Sequence, residues 1–302
     1  MLPGLWAGQT APEPAKLRLL SPVPESARKK REPPMRNFPP HRIICLTEET
    51  VETLYLLGED ARIVAVSGYA VRPPRVRREK PRVSAFISAD IDKILALSPD
   101  LVFTFSDLQA EIVAELVRRG VEVHAFNQRD LAGIYAMIET LGALIGAPEK
   151  GARLAAELRG RVEAAKARTG KLHARPRVYF EEWDKPMISG IGWVSELVEA
   201  AGGIDIFPEQ AREPSAKGRI VSPEAVISAA PDIVIGSWCG KKFRPERFAA
   251  RPGFERMPAV RDGFLREIKS PLILQPGPAA LTDGLTAIEA IVAEWRAAKT
   301  AD

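Results

Sequence analysis

The sequence is poor in the side chains that build metal centres and disulfide frameworks. Its 302 residues include two cysteines and three histidines. Cys45 and Cys239 lie far apart in no zinc-binding spacing, and His41, His124 and His173 are not paired at ligand spacing. We therefore expect two unpaired, buried thiols and no metal site made by the protein itself.

Long apolar runs are also absent from the sequence. No stretch of about 18 apolar residues occurs, so no membrane-spanning helix is predicted. A secretory signal needs a basic start followed by about 7–15 apolar residues, and neither Met1 nor the alternative start Met35 is followed by such a segment. The residues alone leave a cytoplasmic location open.

Basic charge is in excess only within the first 40 residues. The formal net charge is +4, and residues 1–40 contain seven basic and three acidic side chains, so the remaining 36 basic and 36 acidic side chains balance. Without a basic excess on the folded part, nucleic-acid binding is not expected. The same segment holds nine of the 26 prolines, which predicts a disordered, proline-rich basic tail at 1–40.

Motifs for covalent or nucleotide chemistry are missing as well. The histidines have no nucleophile motif around them, and "SGIGW" at 189–193 has too few glycines for a nucleotide fingerprint. Glu181 and Glu182 are adjacent in a predicted strand, so their side chains point to opposite faces, which argues against an acid–base pair. We therefore expect no catalytic residues and no enzyme.

What the sequence does contain is a regular alternation of strands and helices from Arg42 onwards, which predicts parallel α/β sheets. The predicted strands cover residues 42–46, 62–68, 101–105, 121–126, 177–181, 233–237 and 264–269, and the predicted helices cover 47–58, 90–100, 108–120, 193–203, 222–232 and 280–298. The chain then divides into an N-terminal lobe at 41–129, a connecting helical stretch at 130–170 that is broken near 145–151, and a C-terminal lobe at 171–302.

The two lobes repeat one unit, since "LALSPDLVF" in the first is echoed by "ISAAPDIVI" in the second. Asp92 lies eight residues before Asp100, and Glu224 lies eight residues before Asp232. In each lobe an acidic residue in the first turn of a helix precedes a Pro-Asp turn and a buried strand. The two acids fit two interpretations: stabilisation of the helix N-termini by about 0.3–1 kcal/mol, or symmetric docking on a dimeric partner.

Five stretches together are typical of one protein family. They are "RIICLTEETVETLYLLG" (42–58), "VSGYAVRPP" (66–74), "PRVSAFISADIDKILALSPDLVF" (81–103), "RVYFEEWDKPMISGIGWVSELVEAAGGIDIF" (177–207) and "VSPEAVISAAPDIVI" (221–235). With two α/β lobes joined by a single long backbone helix, they resemble the substrate-binding proteins of ABC importers for cobalamin and iron chelates, the helical-backbone class. The resemblance covers about residues 41–298 and is nearest to the cobalamin-binding members.

The resemblance implies a cleft between the lobes that traps one large metal complex and delivers it to an ABC permease dimer outside the inner membrane. It implies that Asp92 and Glu224 meet arginines of that dimer, although Asp92 is shorter than the glutamate that cobalamin binders carry there. It also implies that Tyr69 and Phe86 are aromatic residues of the cleft that contact the ligand. We expect a periplasmic monomer with no covalent cofactor.

Residue types in the strand-to-helix loops point to the same cleft. Parallel sheets bind ligands beyond the carboxyl ends of their strands, and large flat ligands are held by aromatic rings there. These loops supply Arg72, Trp183, Trp238 and Lys241 as candidate ligand contacts. Trp193, at a helix start, fits the core better.

Several functions remain open at this point. The first is capture of cobalamin or a related corrinoid, and the second is binding of a ferric siderophore or haem by the same fold. Cationic side chains near the predicted cleft keep anionic chelates possible: Arg72, Lys217, Arg219, Lys241, Lys242 and Arg244. A cytoplasmic corrinoid carrier and a two-lobed metal-cofactor enzyme are further alternatives, and the scattered cysteines fit the enzyme poorly.

Overall fold

The structure, a computed structural model, describes residues 38–170 and 174–301. His173 and all but the last three residues of the predicted tail at 1–40 lie outside the described residues. None of the described helices is both long enough and apolar enough to cross a membrane.

The first lobe is a parallel sheet of five strands in the order β3-β2-β1-β4-β5. Its elements are β1 (Ile43–Cys45), α1 (Glu48–Leu56), β2 (Ile63–Ser67), α2 (Val76–Glu79), β3 (Arg82–Ser84), α3 (Ile91–Ala96), β4 (Leu101–Phe105), α4 (Ala110–Arg118) and β5 (Val123–Phe126). The four strands predicted for this lobe are confirmed. The sequence did not reveal β3, because a three-residue strand directly after a proline is too short to show alternation.

The second lobe is a mixed sheet in the order β10-β9-β6-β7, with β8 also paired to β6. Its elements are β6 (Arg177–Asp184), β7 (Met187–Ser189), α7 (Gly192–Ala200), β8 (Ile204–Asp205), α8 (Pro208–Ala211), α9 (Pro223–Ala229), β9 (Ile233–Gly236), α10 (Pro245–Ala249), α11 (Pro258–Arg261), β10 (Leu265–Glu267), α12 (Ser270–Ile273) and α13 (Leu285–Ala301), which a π-helical turn at Ala280–Gly284 precedes.

The stretch at 181–193 forms a hairpin at its start, so the prediction of a loop there is wrong. Residues 181–184 continue β6, and β7 returns antiparallel to it with Glu181 opposite Ser189 and Trp183 opposite Ile188. The polar side chains of this segment resemble those of a loop, but its backbone groups are satisfied by strand pairing. The hairpin holds Trp183 beyond the carboxyl end of β9, where β7 is the only one of the described strands that pairs with β6.

The connecting stretch at 130–170 consists of two helices, α5 (Leu131–Leu144) and α6 (Pro148–Thr169). The predicted break is confirmed: Gly146 has a positive φ of 72°, and Pro148 begins α6. The two helices pack closely, because a Cβ atom on Gly142 would lie 2.8 Å from the Cα of Gly151. The long helix is therefore α6 alone, with 22 residues.

The repeated Pro-Asp turns share one backbone conformation. Ser98 and Ala230, which precede the two prolines, have φ values of 46° and 45°, so both helices end in a left-handed residue. Asp100 accepts hydrogen bonds from the backbone N–H groups of the residues that lead into β1, and Asp232 accepts one from the N–H of Arg177, the first residue of β6. Each aspartate thus ties its turn to the neighbouring strand.

One hydrophobic core connects the two lobes. It runs through β1 and β4 of the first lobe, β6 and β9 of the second, and α5, α6, α7 and α13. Each sheet has a smaller hydrophobic cluster on its other face. The cluster of the first lobe includes Val102, and that of the second lobe includes Tyr179. Because the lobes share buried apolar surface, relative motion between them would expose it to water.

Candidate functional site

The loops at the carboxyl ends of the parallel strands form a cleft between the lobes. Gln128, after β5, donates a hydrogen bond from Nε2 to the carbonyl of Pro276 in the second lobe at 2.9 Å. Burial raises the pKa of the Cys239 thiol, which follows β9, and the negative charge of Glu48, at the start of α1, raises it further. Loops from both lobes therefore face each other, as the parallel topology requires.

The floor of the cleft is held by Gln128 and Arg129. Trp193 donates its backbone N–H to the carbonyl of Arg129 at 3.1 Å. A Cβ atom on Gly192 would lie 2.4 Å from that carbonyl oxygen, so only glycine fits this position. Trp193 is buried in the core, which agrees with the sequence-based expectation.

Two arginines at the floor have unused hydrogen-bonding capacity. Arg219 is 3% exposed and donates to both carboxylate oxygens of Glu182, yet its Nε has no partner among the described residues. The Nε of Arg129 is likewise unpartnered there, and its guanidinium lies 3.6 Å from the exposed carboxylate of Asp107. Burial lowers the pKa of Arg129. The positive charge of Arg219 lowers this pKa further, whereas the negative charge of Asp107 raises it. Arg129 is thus a cation that the protein compensates only loosely.

Unpartnered acceptors lie among the same group of residues. Gln128 and Gln275 are both buried, and neither side-chain carbonyl has a hydrogen-bond donor among the described residues. The hydroxyl of Ser237, at the end of β9, is also buried without a partner in that part of the chain. A buried acceptor without a donor costs free energy, so these groups fit a ligand that brings its own N–H or O–H groups.

The first lobe has four apolar or aromatic residues after the carboxyl ends of its parallel strands, which we call the apolar wall: Tyr69, Phe86, Ile87 and Leu108. Tyr69 follows β2 and is 50% exposed, and Ile87 and Leu108 follow β3 and β4 with exposures of 51% and 57%. Phe86 is half-buried, and its carbonyl accepts a hydrogen bond from Gln109 at 2.7 Å. Tyr69 and Phe86 were candidates from the sequence. Ile87 and Leu108 were not, since Leu108 falls at the start of the predicted helix at 108–120 and an exposed position for either is not visible in the sequence.

Arg72, a candidate ligand contact, is paired with two carboxylates. Its Nε lies 2.8 Å from Glu52, and its Nη2 lies 2.8 Å from Asp283 in the second lobe. Glu52 also accepts the backbone N–H of Ala279 at 3.0 Å. Arg72 thus joins the two lobes through two carboxylates, and its contact with a ligand stays a prediction.

The second lobe contributes Trp183, Trp238 and Lys241. The Nζ of Lys241 lies 4.1 Å from the ring centre of Trp183 and 4.9 Å from that of Trp238, and it bonds the carboxylate of Asp184. Trp183 is half-buried, whereas Trp238 is 4% exposed and donates Nε1–H to the buried Glu181 at 3.0 Å. Trp238 is thus largely buried, and its contact with a ligand stays a prediction.

A cavity of about 480 Å³ lies beside these aromatic residues. It is lined by Trp238, Gly240, Lys241, Lys242, Glu267, Ile268, Lys269, Ser270 and Pro271. These residues lie at or just after the carboxyl ends of β9 and β10, with Ser270 and Pro271 in the first turn of α12, so the cavity opens at the same edge of the sheet as the cleft.

The two cysteines differ in exposure. Cys45 is fully buried, and burial raises the pKa of its thiol to about 12. Cys239 is exposed, and partial desolvation raises its pKa, with smaller contributions from Glu48 and Glu182. The expectation of two buried thiols is therefore wrong for Cys239, because it lies at a loop tip next to Gly240. Among the described residues, no group of three or more His, Cys, Asp or Glu side chains could hold a metal ion.

The two candidate docking acids occupy equivalent positions. Asp92 is the second residue of α3 and Glu224 the second residue of α9, and both are exposed. The helices are capped instead by Asp90 and Ser222, whose side chains accept the N–H groups of Lys93 and Ala225. Because α3 and α9 each lead into a parallel strand, their N-termini lie at the carboxyl edge of the sheets, where the cleft opens.

Comparison with known proteins agrees with this architecture. Residues 43–272 match the family described as periplasmic binding protein. The chain belongs to this family. Members of this family are binding proteins, which supports a substrate-binding role for the chain.

Individual relatives and solved structures name several ligands. The vitamin B12-binding protein of Vibrio campbellii is 31% identical over 67% of this chain and 72% of its own length, and that of Vibrio parahaemolyticus is 27% identical over 82% and 88%. The structure of the periplasmic vitamin B12 binding protein BtuF of Vibrio cholerae matches with a TM-score of 0.67 and 25% identity over 85% of this chain and 98% of that one. The periplasmic heme-binding protein RhuT from Roseiflexus sp. RS-1 shares the fold, with a TM-score of 0.70 and 24% identity over 83% of this chain and 99% of that one.

Proposed function

We propose that this periplasmic binding protein captures cobalamin or a related corrinoid in the inter-lobe cleft and delivers it to an ABC importer. The observation that carries the proposal is the pairing of an exposed apolar wall with buried, unpartnered polar atoms at the floor. A corrin ring offers a broad face for the wall, and its amide side chains offer both N–H donors and carbonyl acceptors. The relatives named for vitamin B12 support the same ligand.

The polarity of the floor favours a corrinoid over an anionic chelate. The side-chain carbonyls of Gln128 and Gln275 need donors, and the Nε groups of Arg129 and Arg219 need acceptors. Primary amides supply both, whereas the propionates of haem and the oxygens of a ferric catecholate supply acceptors alone. Satisfying a buried polar group contributes roughly 1–3 kcal/mol relative to leaving it unpaired.

Titration of purified protein with cyanocobalamin tests the proposal. Binding should quench tryptophan fluorescence and release heat in a calorimeter with one ligand per chain. Trp183→Ala should weaken binding by roughly 1–3 kcal/mol if its ring is a central anchor. Trp295→Phe is the matched control, since Trp295 is buried in the core on α13. Absence of heat and of quenching with every corrinoid would overturn the proposal.

Haem is the second candidate, and one observation favours it. Tyr69 presents a half-exposed phenol in the cleft, and tyrosine is an established axial ligand of haem iron. In this alternative haemin, not cyanocobalamin, binds, and Tyr69→Phe changes the visible spectrum of the bound haem. A spectrum unchanged by Tyr69→Phe would remove the reason for considering haem.

Delivery is proposed to use Asp92 and Glu224. Both carboxylates are exposed and appear in no hydrogen bond or ion pair within 38–170 and 174–301, and the two helices that carry them come from different lobes. A permease dimer with an arginine on each subunit would meet one acid from each lobe. We propose a periplasmic location for this step, which fractionation of cells that express the native gene tests directly.

A further inference from the structure

The lysine-lined cavity of the second lobe has an uncompensated positive charge. Lys241 is neutralised by Asp184, and Glu267 accepts the backbone N–H of Phe243 at 2.8 Å. Lys242 and Lys269 are exposed and make no ion pair or hydrogen bond through their side chains within the described ranges. Glu267 offsets one of these two cations, so the cavity favours an anion.

The cavity also has an apolar component. The edge of Trp238, the buried Ile268 and Pro271 contribute to its lining, so an organic group as well as an anion fits there. Its volume of about 480 Å³ falls in the range of about 300–1,000 Å³ that is usual for small-molecule sites. An isolated inorganic anion would leave this apolar surface unused.

The cavity lies beside a candidate ligand residue of the second lobe. Lys241 lines the cavity, and its Nζ lies 4.1 Å from the ring centre of Trp183. Gly240 has a positive φ of 73°, which turns the chain at this point. A ligand that packs against Trp183 therefore lies next to Lys241 of the cavity lining.

We propose that this cavity is a subsite for a phosphodiester-bearing arm of the ligand, with Lys242 and Lys269 as the residues that hold the phosphate. The inference rests on the proposed corrinoid function and deepens it. Among corrinoids it selects those that carry a nucleotide loop over those that end in an uncharged side chain. Phosphate is bound well by lysine as a point charge.

Two ligands that share a corrin ring separate the subsite from the cleft. Cyanocobalamin carries the phosphodiester, and dicyanocobinamide lacks it. The wild-type protein should bind cyanocobalamin more tightly, and the Lys242→Gln, Lys269→Gln variant should lose roughly tenfold in affinity for cyanocobalamin and little for dicyanocobinamide. The loss should shrink as salt concentration rises, because both lysines are exposed. Inorganic phosphate should compete with cyanocobalamin more strongly than chloride does at equal ionic strength.

The matched control is Lys93→Gln, Lys166→Gln, which removes two exposed lysines on α3 and α6, outside the cavity lining. It should leave both affinities unchanged. Equal losses for the two ligands, or no loss for either, would overturn the subsite while leaving corrinoid binding in place. Failure of the wild-type protein to bind either corrinoid would instead overturn the proposed function and the subsite together.

Discussion

Replacing Glu49 with glutamine should stabilise the protein at neutral pH. Glu49 is 2% exposed where the lobes meet, and a Cβ atom on Gly277 of the second lobe would lie 2.5 Å from its Cβ. Burial raises the pKa of Glu49 from its ordinary value of 4.5 to about 8, although a hydrogen bond from the Thr47 hydroxyl, 2.7 Å long, lowers it. The folded protein therefore keeps this proton over a pH range in which the unfolded chain has lost it.

The sign and size of the effect follow from this difference. Stability contributed by the protonated form is fully present below pH 4.5 and is lost as pH rises towards about 8. At about 1.4 kcal/mol per pH unit, the loss by pH 7 is about 3 kcal/mol. Glutamine resembles the protonated acid and does not titrate, so Glu49→Gln should match the wild type near pH 4.5 and exceed it by about 3 kcal/mol at pH 7.

Urea unfolding of both proteins between pH 4.5 and 8.5 measures this difference. Other buried acids with raised pKa values, such as Glu181 and Asp205, are present in both proteins, so their contributions cancel. Glu157→Gln is the control, since Glu157 is exposed on α6. A stability difference between Glu49→Gln and the wild type that does not change with pH would refute the argument.

Three further predictions concern the cleft and its partner. Thiol titration of the native protein should find one reactive cysteine, Cys239, whereas Cys45 should react only after unfolding. Bound cyanocobalamin should slow the reaction of Cys239. A reaction rate that saturating cyanocobalamin does not change would contradict the position of Cys239 in the ligand cleft. Asp92→Lys combined with Glu224→Lys should abolish binding to the cognate permease and leave ligand affinity unchanged, because like charges would then face the arginines of the partner; equal permease affinity at low and moderate salt would contradict docking. Solution scattering curves with and without ligand should nearly superimpose, since one core joins the lobes, and a large compaction on binding would contradict this.

Most of the fold could be predicted from the sequence, because its strands and helices have strong periodicity. The exceptions have local causes. The three residues of β3 are too few to show a pattern, and Glu181–Asp184 are polar although they pair in a hairpin. The break between α5 and α6 was visible in the sequence, since glycine and proline mark it directly.

The site was less predictable, because residue type does not reveal which partner a side chain meets. Arg72 forms ion pairs with Glu52 and Asp283, and Trp238 donates a hydrogen bond to Glu181. Each of these contacts joins segments that are distant along the chain. Gln128 and Arg129 were missed for the same reason, because only the approach of the second lobe makes them a cleft floor. Tyr69, Phe86 and Lys241 lie between strands and helices, as predicted, and Trp183 lies at the end of β6; the contact of all four with a ligand stays a prediction.

The repeated unit contains two kinds of acidic residue, and the structure shows different surroundings for each: the aspartates of the Pro-Asp turns and the acids at the helix starts. Asp100 and Asp232 bond the backbone at the start of β1 and β6, so local structure alone accounts for their repetition. That explanation does not extend to Asp92 and Glu224, because neighbouring residues already cap their helices. Their interaction with the helix dipole is worth only about 0.3–1 kcal/mol at an exposed site. Stability therefore gives a weak reason for an acid at both positions, and recognition by a two-fold symmetric partner gives a stronger one, since such a partner presents the same surface to each lobe.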